Sequence, residues 1–511
     1  MKKCLSLFLT LVLLLSALAP TAFAEEGAEV STVPAEIAAE NLGTIDVFRG
    51  TGSGFALDRA PTRVEAAAML VRLCGAEEAA KAQLTEGAIE NPFKDVADWA
   101  AADTAWLYAN GLARGVGADK FGAERVCRAK DYAVFLLRAL GYRDGEDFTY
   151  DGAEAFAAEC GFYHASLFSG TFTRGDLAVM TWLALFAKVK DGGQTLLQAL
   201  VKDGAVDQGA AQKLLNQYQS TGASLCAEGV RVAAGKWQNA QNALVITVQL
   251  ASNSPTLAGE TLTLDKEALD ALAETEDGTV LFRETALRTL ADGWKADYGV
   301  KSGPYLFESY VKGWTEIGFL PCDYQLDAAA AVKALMAQLL FLRSGEIGVP
   351  LICYRAGKPF SLGDTYVEVD FDNQQLTYFK NGRMVLNSNV VTGKLDGHQT
   401  PTGLYYSHNK QRNCVLVGSD FRVFVKYWIS IIHDVIGFHD ASWRSVFGGE
   451  YYVNDGSHGC INTPDGAMEY LFNNLDDGTP VLMYGQNKWY DVNDPAASPV
   501  TQNPVHGQTV K

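Results

Sequence analysis

An excess of positive charge is missing from this 511-residue chain: 42 Lys and Arg stand against 60 Asp and Glu, for a formal net charge of −18. That balance excludes a nucleic-acid binder or a polybasic membrane-surface protein, both of which need clustered cations. The nine cysteines include no CxxC pair, which removes the zinc-ribbon reading. They are also too scattered for a dense disulfide framework. After the N-terminal stretch no apolar run is long enough to cross a bilayer. Histidine is scarce, seven in all, and absent from residues 206–350, so that stretch holds no His-based catalytic cluster. What is present, 48% hydrophobic residues, is ordinary for globular protein and rules out wholesale disorder. The length predicts about three domains.

The first residues read as an export signal. Lys2 and Lys3 precede an apolar run from Leu5 to Leu18, and Ala22-Phe23-Ala24 forms a small-x-small cleavage site. The expectation is a signal peptide over 1–24, leaving a secreted, cell-wall-associated protein with no membrane span. Cys4 lies before the apolar run, so it is not a lipid-attachment cysteine. Of the other cysteines, Cys74 and Cys160 read as buried apolar residues of helices.

From residue 25 to about 205 the pattern is helical and repetitive. Thr62-Arg63-Val64-Glu65, Cys127-Arg128-Ala129-Lys130 and Thr173-Arg174-Gly175-Asp176 each open an apolar helix, and Thr is the expected N-cap in two of them. Before the second stand Phe93-Lys94-Asp95-Val96, Trp99, Ala105-Trp106 and Tyr108-Ala109-Asn110-Gly111. This set resembles S-layer homology domains, most closely in the second unit. The first unit lacks the F-x-D-V signature, and the third keeps only Phe148-Thr149-Tyr150-Asp151. The resemblance implies units packed about a pseudo-threefold axis that bind secondary cell-wall polysaccharide through Arg63, Arg128 and Arg174. A helix-start Arg beside exposed N–H groups is a sensible anion donor. The plainer alternative pairs each Arg with Glu65, Asp131 or Asp176 as a surface ion pair of little worth.

Residues 206–350 read as an α+β spacer with a faint similarity to peptidoglycan-binding modules. Strands are expected at 243–250 and 261–265, and helices at 266–273, 282–298 and 326–343. From about Thr365 strand patterns dominate: Tyr366–Phe371 alternates, and Asn373–Lys380 runs into the hairpin signal Asn381-Gly382. A catalytic domain over 351–486 is expected to be mainly β and sandwich-like, with a disordered tail over 487–511. The fold class is therefore multidomain: α-helical S-layer-homology-like repeats (25–205), an α+β middle region and a β catalytic domain.

The chemistry concentrates in Ser457-His458-Gly459-Cys460-Ile461-Asn462, with Ile436-Gly437-Phe438-His439-Asp440 and Trp443-Arg444 upstream. A thiol is nucleophilic as thiolate, and a nearby imidazole can take its proton. Gly459 lets the backbone come close, so that N–H groups can face an oxyanion. From the residues alone three other readings stand: an inert buried thiol, a zinc site lacking its fourth ligand, and a Gly-rich turn with incidental histidines.

With Val391-Thr392-Gly393, Thr400-Pro401-Thr402-Gly403 and Gly478-Thr479-Pro480-Val481, the segment resembles L,D-transpeptidase catalytic domains (YkuD-like) from about Thr365 to Gly485. The resemblance implies Cys460 as nucleophile and His439 as general base. It implies the backbone of His458, Gly459 and Cys460 as oxyanion hole, and Trp443, Arg444, Ser457 and Asn462 as substrate contacts. Asp440 departs from many relatives and bears on the basicity of His439. The activity implied is 3→3 cross-linking of peptidoglycan stem peptides, with L,D-carboxypeptidase action or a non-catalytic wall-binding scaffold as alternatives. No cofactor or metal is implied, and no nucleic-acid partner. His433, His398, His408, His164 and His506 carry no assignment.

Overall fold

The computed structural model describes residues 34–51, 54–190, 193–257, 259–395, 397–418, 420–485 and 509–510. The signal segment and, apart from Thr509–Val510, the expected tail lie outside the described residues.

Two of the three expected helix starts are closed by their own side chains. Helix α1 (Arg63–Leu73) has Thr62 as N-cap, whose hydroxyl accepts from the Glu65 N–H while Glu65 reaches back to the Thr62 N–H. Helix α2 (Ala129–Ala139) starts at Arg128 without a side-chain cap. Helix α3 (Arg174–Leu185) repeats the box with Thr173 and Asp176. Each box satisfies two otherwise orphan donors. The Phe93-Lys94-Asp95-Val96 stretch works in a related way. The Asp95 carboxylate accepts N–H bonds from Phe121, Gly122 and Ala123 at 2.7, 2.7 and 3.3 Å. Burial pushes this carboxyl up, but the three bonds outweigh it and hold it below the usual carboxylate range.

One apolar core runs without a break from Ile37 to Leu351, so the expected division near residue 205 does not separate two cores. Phe186 stacks on Tyr218 across it, with ring centroids 3.8 Å apart. The expected middle elements are present at Ile246–Leu250, Thr261–Leu264, Lys266–Leu272, Glu284–Tyr298 and Ala328–Phe341. A long hairpin, Lys301–Ser309 with Gly313–Leu326, was not expected. The strand Leu351–Arg355 pairs with it, Cys353 opposite Tyr324. With Lys358–Pro359 it joins the hairpin's sheet, on the far side of the boundary expected at 350.

The catalytic region is two five-stranded sheets. The first has the order β3-β2-β1-β9-β4, with β1 (Tyr366–Asp370), β2 (Gln375–Lys380), β3 (Arg383–Asn389), β4 (Gly403–Tyr406) and, late in the chain, β9 (Pro480–Tyr484) parallel to β1. The second contains β5 (His408–Val417), β6 (Arg422–Ile432), β7 (Ile436–Asp440) and β8 (Ile461–Thr463), in the order β8-β7-β6-β5, with Thr509–Val510 added beside β5. Val367, Val369 and Leu376 of one sheet pack with Ile429, Phe438 and Ile461 of the other. Met468 and Leu471 of the helix Asp465–Asn474 join them. The sandwich expectation holds in this sense.

Two joints fix this sandwich to the rest. At the first, the buried Glu368 accepts the Tyr310 N–H at 3.0 Å and the Tyr484 hydroxyl at 3.1 Å, and Lys312 pairs with Asp370 at 3.2 Å. At the second, the β2–β3 turn has both Asn381 and Gly382 at positive φ (53° and 71°), the form a two-residue hairpin requires. That tip sends Arg383 to Glu65 of α1 and the Asn381 amide to the Glu124 carbonyl.

Candidate active site

Strands β7 and β8 run in parallel with His439 opposite Asn462, and Cys460 stands one residue ahead of β8. Cys460 is 3% exposed and His439 4%. Both line a cleft of about 350 Å³ together with Trp443, Arg444, Asp455 and His458. The Cys460 thiol lies 3.6 Å from the Val435 carbonyl. His439 Nδ1 is 2.8 Å from the Asp440 carbonyl oxygen. A carbonyl can only accept, so Nδ1 carries the proton and Nε2 keeps its lone pair. The imidazole has two indoles nearby, Trp428 at 6.2 Å and Trp443 at 5.9 Å between centroids. Burial holds the His439 pKa below its ordinary value. The hydrogen bond to the Asp440 carbonyl and the Asp440 charge oppose that shift, and Arg444 adds to it. Asp440 thus affects basicity in the raising direction only, while its carboxylate accepts the Tyr427 N–H at 2.8 Å.

The loop before Cys460 is tied to two earlier segments. The Ser457 N–H donates to the Thr392 carbonyl at 2.9 Å, and the Ser457 carbonyl accepts from Lys394 at 3.0 Å. Thr400 accepts the Gly393 N–H at 2.8 Å and donates to the Gly459 carbonyl at 2.9 Å. Gly459 has φ 117°, a conformation that favours glycine. Gly393 is needed for space: a Cβ there would stand 1.9 Å from the His398 carbonyl oxygen and 2.7 Å from the Thr400 N. Gly393→Ala is expected to destabilise the protein by about 2–4 kcal/mol, because two backbone segments must part. A lowered urea midpoint with an unchanged m-value is the check.

Two residues of the expected site are bonded within the loop. Ser457, expected at the substrate, uses its hydroxyl inside the loop, donating to the Cys460 carbonyl at 2.5 Å and accepting the Gly459 N–H at 3.0 Å. For the same reason the Gly459 N–H does not face an oxyanion; its neighbour's hydroxyl takes it. The His458 ring turns to Asp420, with Nε2 3.2 Å from Oδ2, and packs on Phe421 and His398. Trp443 is half exposed at the cleft wall. Sequence reasoning gave no role to Thr400, Asp455, Phe421 or Trp428. Only Thr400 carried a signal, in the Thr-Pro-Thr-Gly stretch. Among the described residues no group of three or more His, Cys, Asp or Glu is gathered as a metal site.

The three helix-start arginines part company. Arg63 and Arg128 line one cleft of about 470 Å³, with Arg114, Arg125 and Arg138; Arg174 lines another beside Arg49 and Trp99. Arg63 donates to the carbonyls of Phe121 and Arg114. Arg174 makes the matching pair with Phe55 and Arg49. Both guanidiniums are lowered in pKa by burial, Arg174 to about 10. Arg128 alone is mostly exposed, bonded to Asp131 at 3.0 Å and to Tyr150 at 2.9 Å.

Residues 364–483 match the L,D-transpeptidase catalytic domain (YkuD). That segment is of the L,D-transpeptidase type, consistent with peptidoglycan as substrate. A cell surface protein of Thermoanaerobacter kivui is 32% identical over 176 residues, which is 33% of this chain and 22% of that protein. The chain thus spans about a fifth of that relative's length. A crystal structure of an Enterococcus faecium L,D-transpeptidase aligns at 27% identity over 48% of this chain and 97% of that one, with a TM-score of 0.27. The catalytic domain of an E. faecium L,D-transpeptidase, solved by NMR, aligns at 40% identity over 24% and 97%, with a TM-score of 0.23. Among the described residues no helix is long and apolar enough to cross a membrane.

Proposed function

We propose that this protein is an exported, wall-associated L,D-transpeptidase in which Cys460 forms the acyl-enzyme. The observation that carries the reading is one cleft holding a buried thiol and a buried imidazole whose Nδ1–H is pinned to a carbonyl. His439 takes the thiol proton, and the thiolate attacks the carbonyl carbon of the third, diamino-acid residue of a tetrapeptide stem. The oxyanion is met by backbone N–H groups of His458 and Cys460, in a loop whose shape Gly459 and Ser457 set. Collapse breaks the amide C–N bond, His439 returns the proton to the leaving D-alanine amine, and a thioester remains. A side-chain amine of a second stem then attacks, loses its proton to His439, and releases the thiolate with a 3→3 cross-link. Incubation with a disaccharide-tetrapeptide should release D-alanine and give the 3→3 dimer. Tripeptide without dimer would make the enzyme an L,D-carboxypeptidase, and no D-alanine release would leave a scaffold.

The helical region is proposed to hold the enzyme to an acidic wall polysaccharide in the cleft of Arg63, Arg114, Arg125, Arg128 and Arg138. Five guanidiniums lining one cleft, against one carboxylate, Asp131, favour a polyanion. Because the core runs on to Leu351, the test uses the full chain. Arg128→Glu, at an exposed position, is expected to weaken co-sedimentation with purified wall polymer by about tenfold, on the scale of one charge-assisted contact. Equal co-sedimentation of both proteins would remove this role.

A further inference from the structure

Three buried polar atoms near the catalytic pair lack a partner, Trp428 Nε1, Arg444 Nε and Asn462 Oδ1, and Arg444 and Asn462 belong to residues that line the cleft. Buried polar atoms are nearly always satisfied, so this wall of the cleft is incompletely paired. Arg444 is the most informative because it brings charge. Its side chain is 9% exposed, and Nη1 bonds Asp455 at 3.0 Å, yet Asp455 is 77% exposed. A guanidinium has five donors in a planar fork that matches a carboxylate. A carboxylate that stays so exposed gains little from the pair and is readily displaced. Asp455 closes the helix α4 (Tyr451–Asp455), immediately ahead of Gly456 and Ser457, so it stands on the wall of the same cleft as Cys460.

We propose that Arg444 is the receptor for a carboxylate of the donor stem beside the scissile bond, and that Asp455 is an internal carboxylate holding the guanidinium until the stem displaces it. The proposal rests on the transpeptidase reading and names the group by which the stem is recognised. Two groups of a tetrapeptide stem have this chemistry: the carboxylate of the terminal D-alanine, and the side-chain carboxylate of a diaminopimelate-type third residue. The Arg444 charge also weakens His439 as a base.

The test follows acylation of Cys460 in the full chain by intact mass, using three stems. One carries both carboxylates, one has a terminal carboxamide, and one has lysine in place of the diaminopimelate-type residue. The wild-type protein is expected to lose roughly 10–100-fold in acylation rate with the stem lacking the recognised carboxylate. A drop with the carboxamide assigns the terminal group, and a drop with lysine assigns the side-chain group. Arg444→Gln should slow the complete stem to the rate of the deficient one and abolish the distinction between them. Asp455→Asn changes an exposed side chain, keeps the fold, and should widen the distinction. Equal wild-type acylation by all three stems overturns the proposal alone. An unchanged ratio in Asp455→Asn together with a preserved ratio in Arg444→Gln also overturns it. No acylation by any stem overturns the transpeptidase reading, and the proposal with it.

Discussion

Replacing Cys460 with alanine is expected to lower 3→3 dimer formation and D-alanine release by at least about 10⁴-fold, to the uncatalysed background. The reasoning is local. In the proposed mechanism the attack of this thiol yields the covalent intermediate, and His439 takes its proton. Cys460 is 3% exposed and packs with Leu416, Val425 and Trp428. Losing the sulfur leaves a small void and costs roughly 1 kcal/mol, so thermal unfolding should move by only a few degrees. Lost turnover with retained folding is the expected pair of results, read by muropeptide chromatography and a melting curve. Dimer formed by the alanine protein would refute the nucleophile.

Replacing His439 with glutamine is expected to lower kcat/KM by about 10²–10⁴-fold, the usual worth of a general base. The more specific expectation concerns pH. Burial holds the folded pKa of His439 below the ordinary 6.5, so the neutral base persists below that pH and activity falls only as pH drops through the folded value. Stability follows the same sign. Between 6.5 and the lower folded pKa the unfolded chain binds the proton and the folded one does not. Stability is therefore full above 6.5 and declines as pH falls through that window. His439→Gln should flatten the acid limb of kcat/KM and remove its share of the acid destabilisation. An acid limb unchanged in the variant would transfer the base role to another group.

His439 and Cys460, read from two short segments, line one cleft, and the sandwich followed from alternation and the Asn381-Gly382 turn. The bonds of Ser457 within its loop were not legible: a serine two residues before a positive-φ glycine can take the glycine N–H. The hairpin Lys301–Leu326 was missed because Gly303, Pro304, Gly313, Gly318 and Pro321 break the pattern of alternation. Near 205 the composition shifts while the apolar packing runs on, and packing across that point is not visible in composition. Arg63 and Arg174 shared a motif with Arg128, but only the geometry shows that their donors reach backbone carbonyls.

The measurement that bears most directly on the central claim is intact-protein mass spectrometry of the full chain mixed with a disaccharide-tetrapeptide. The account predicts an adduct equal to the donor less one D-alanine, mapping to the peptide that contains Cys460. An unmodified chain with Cys460 in the reduced state would contradict it.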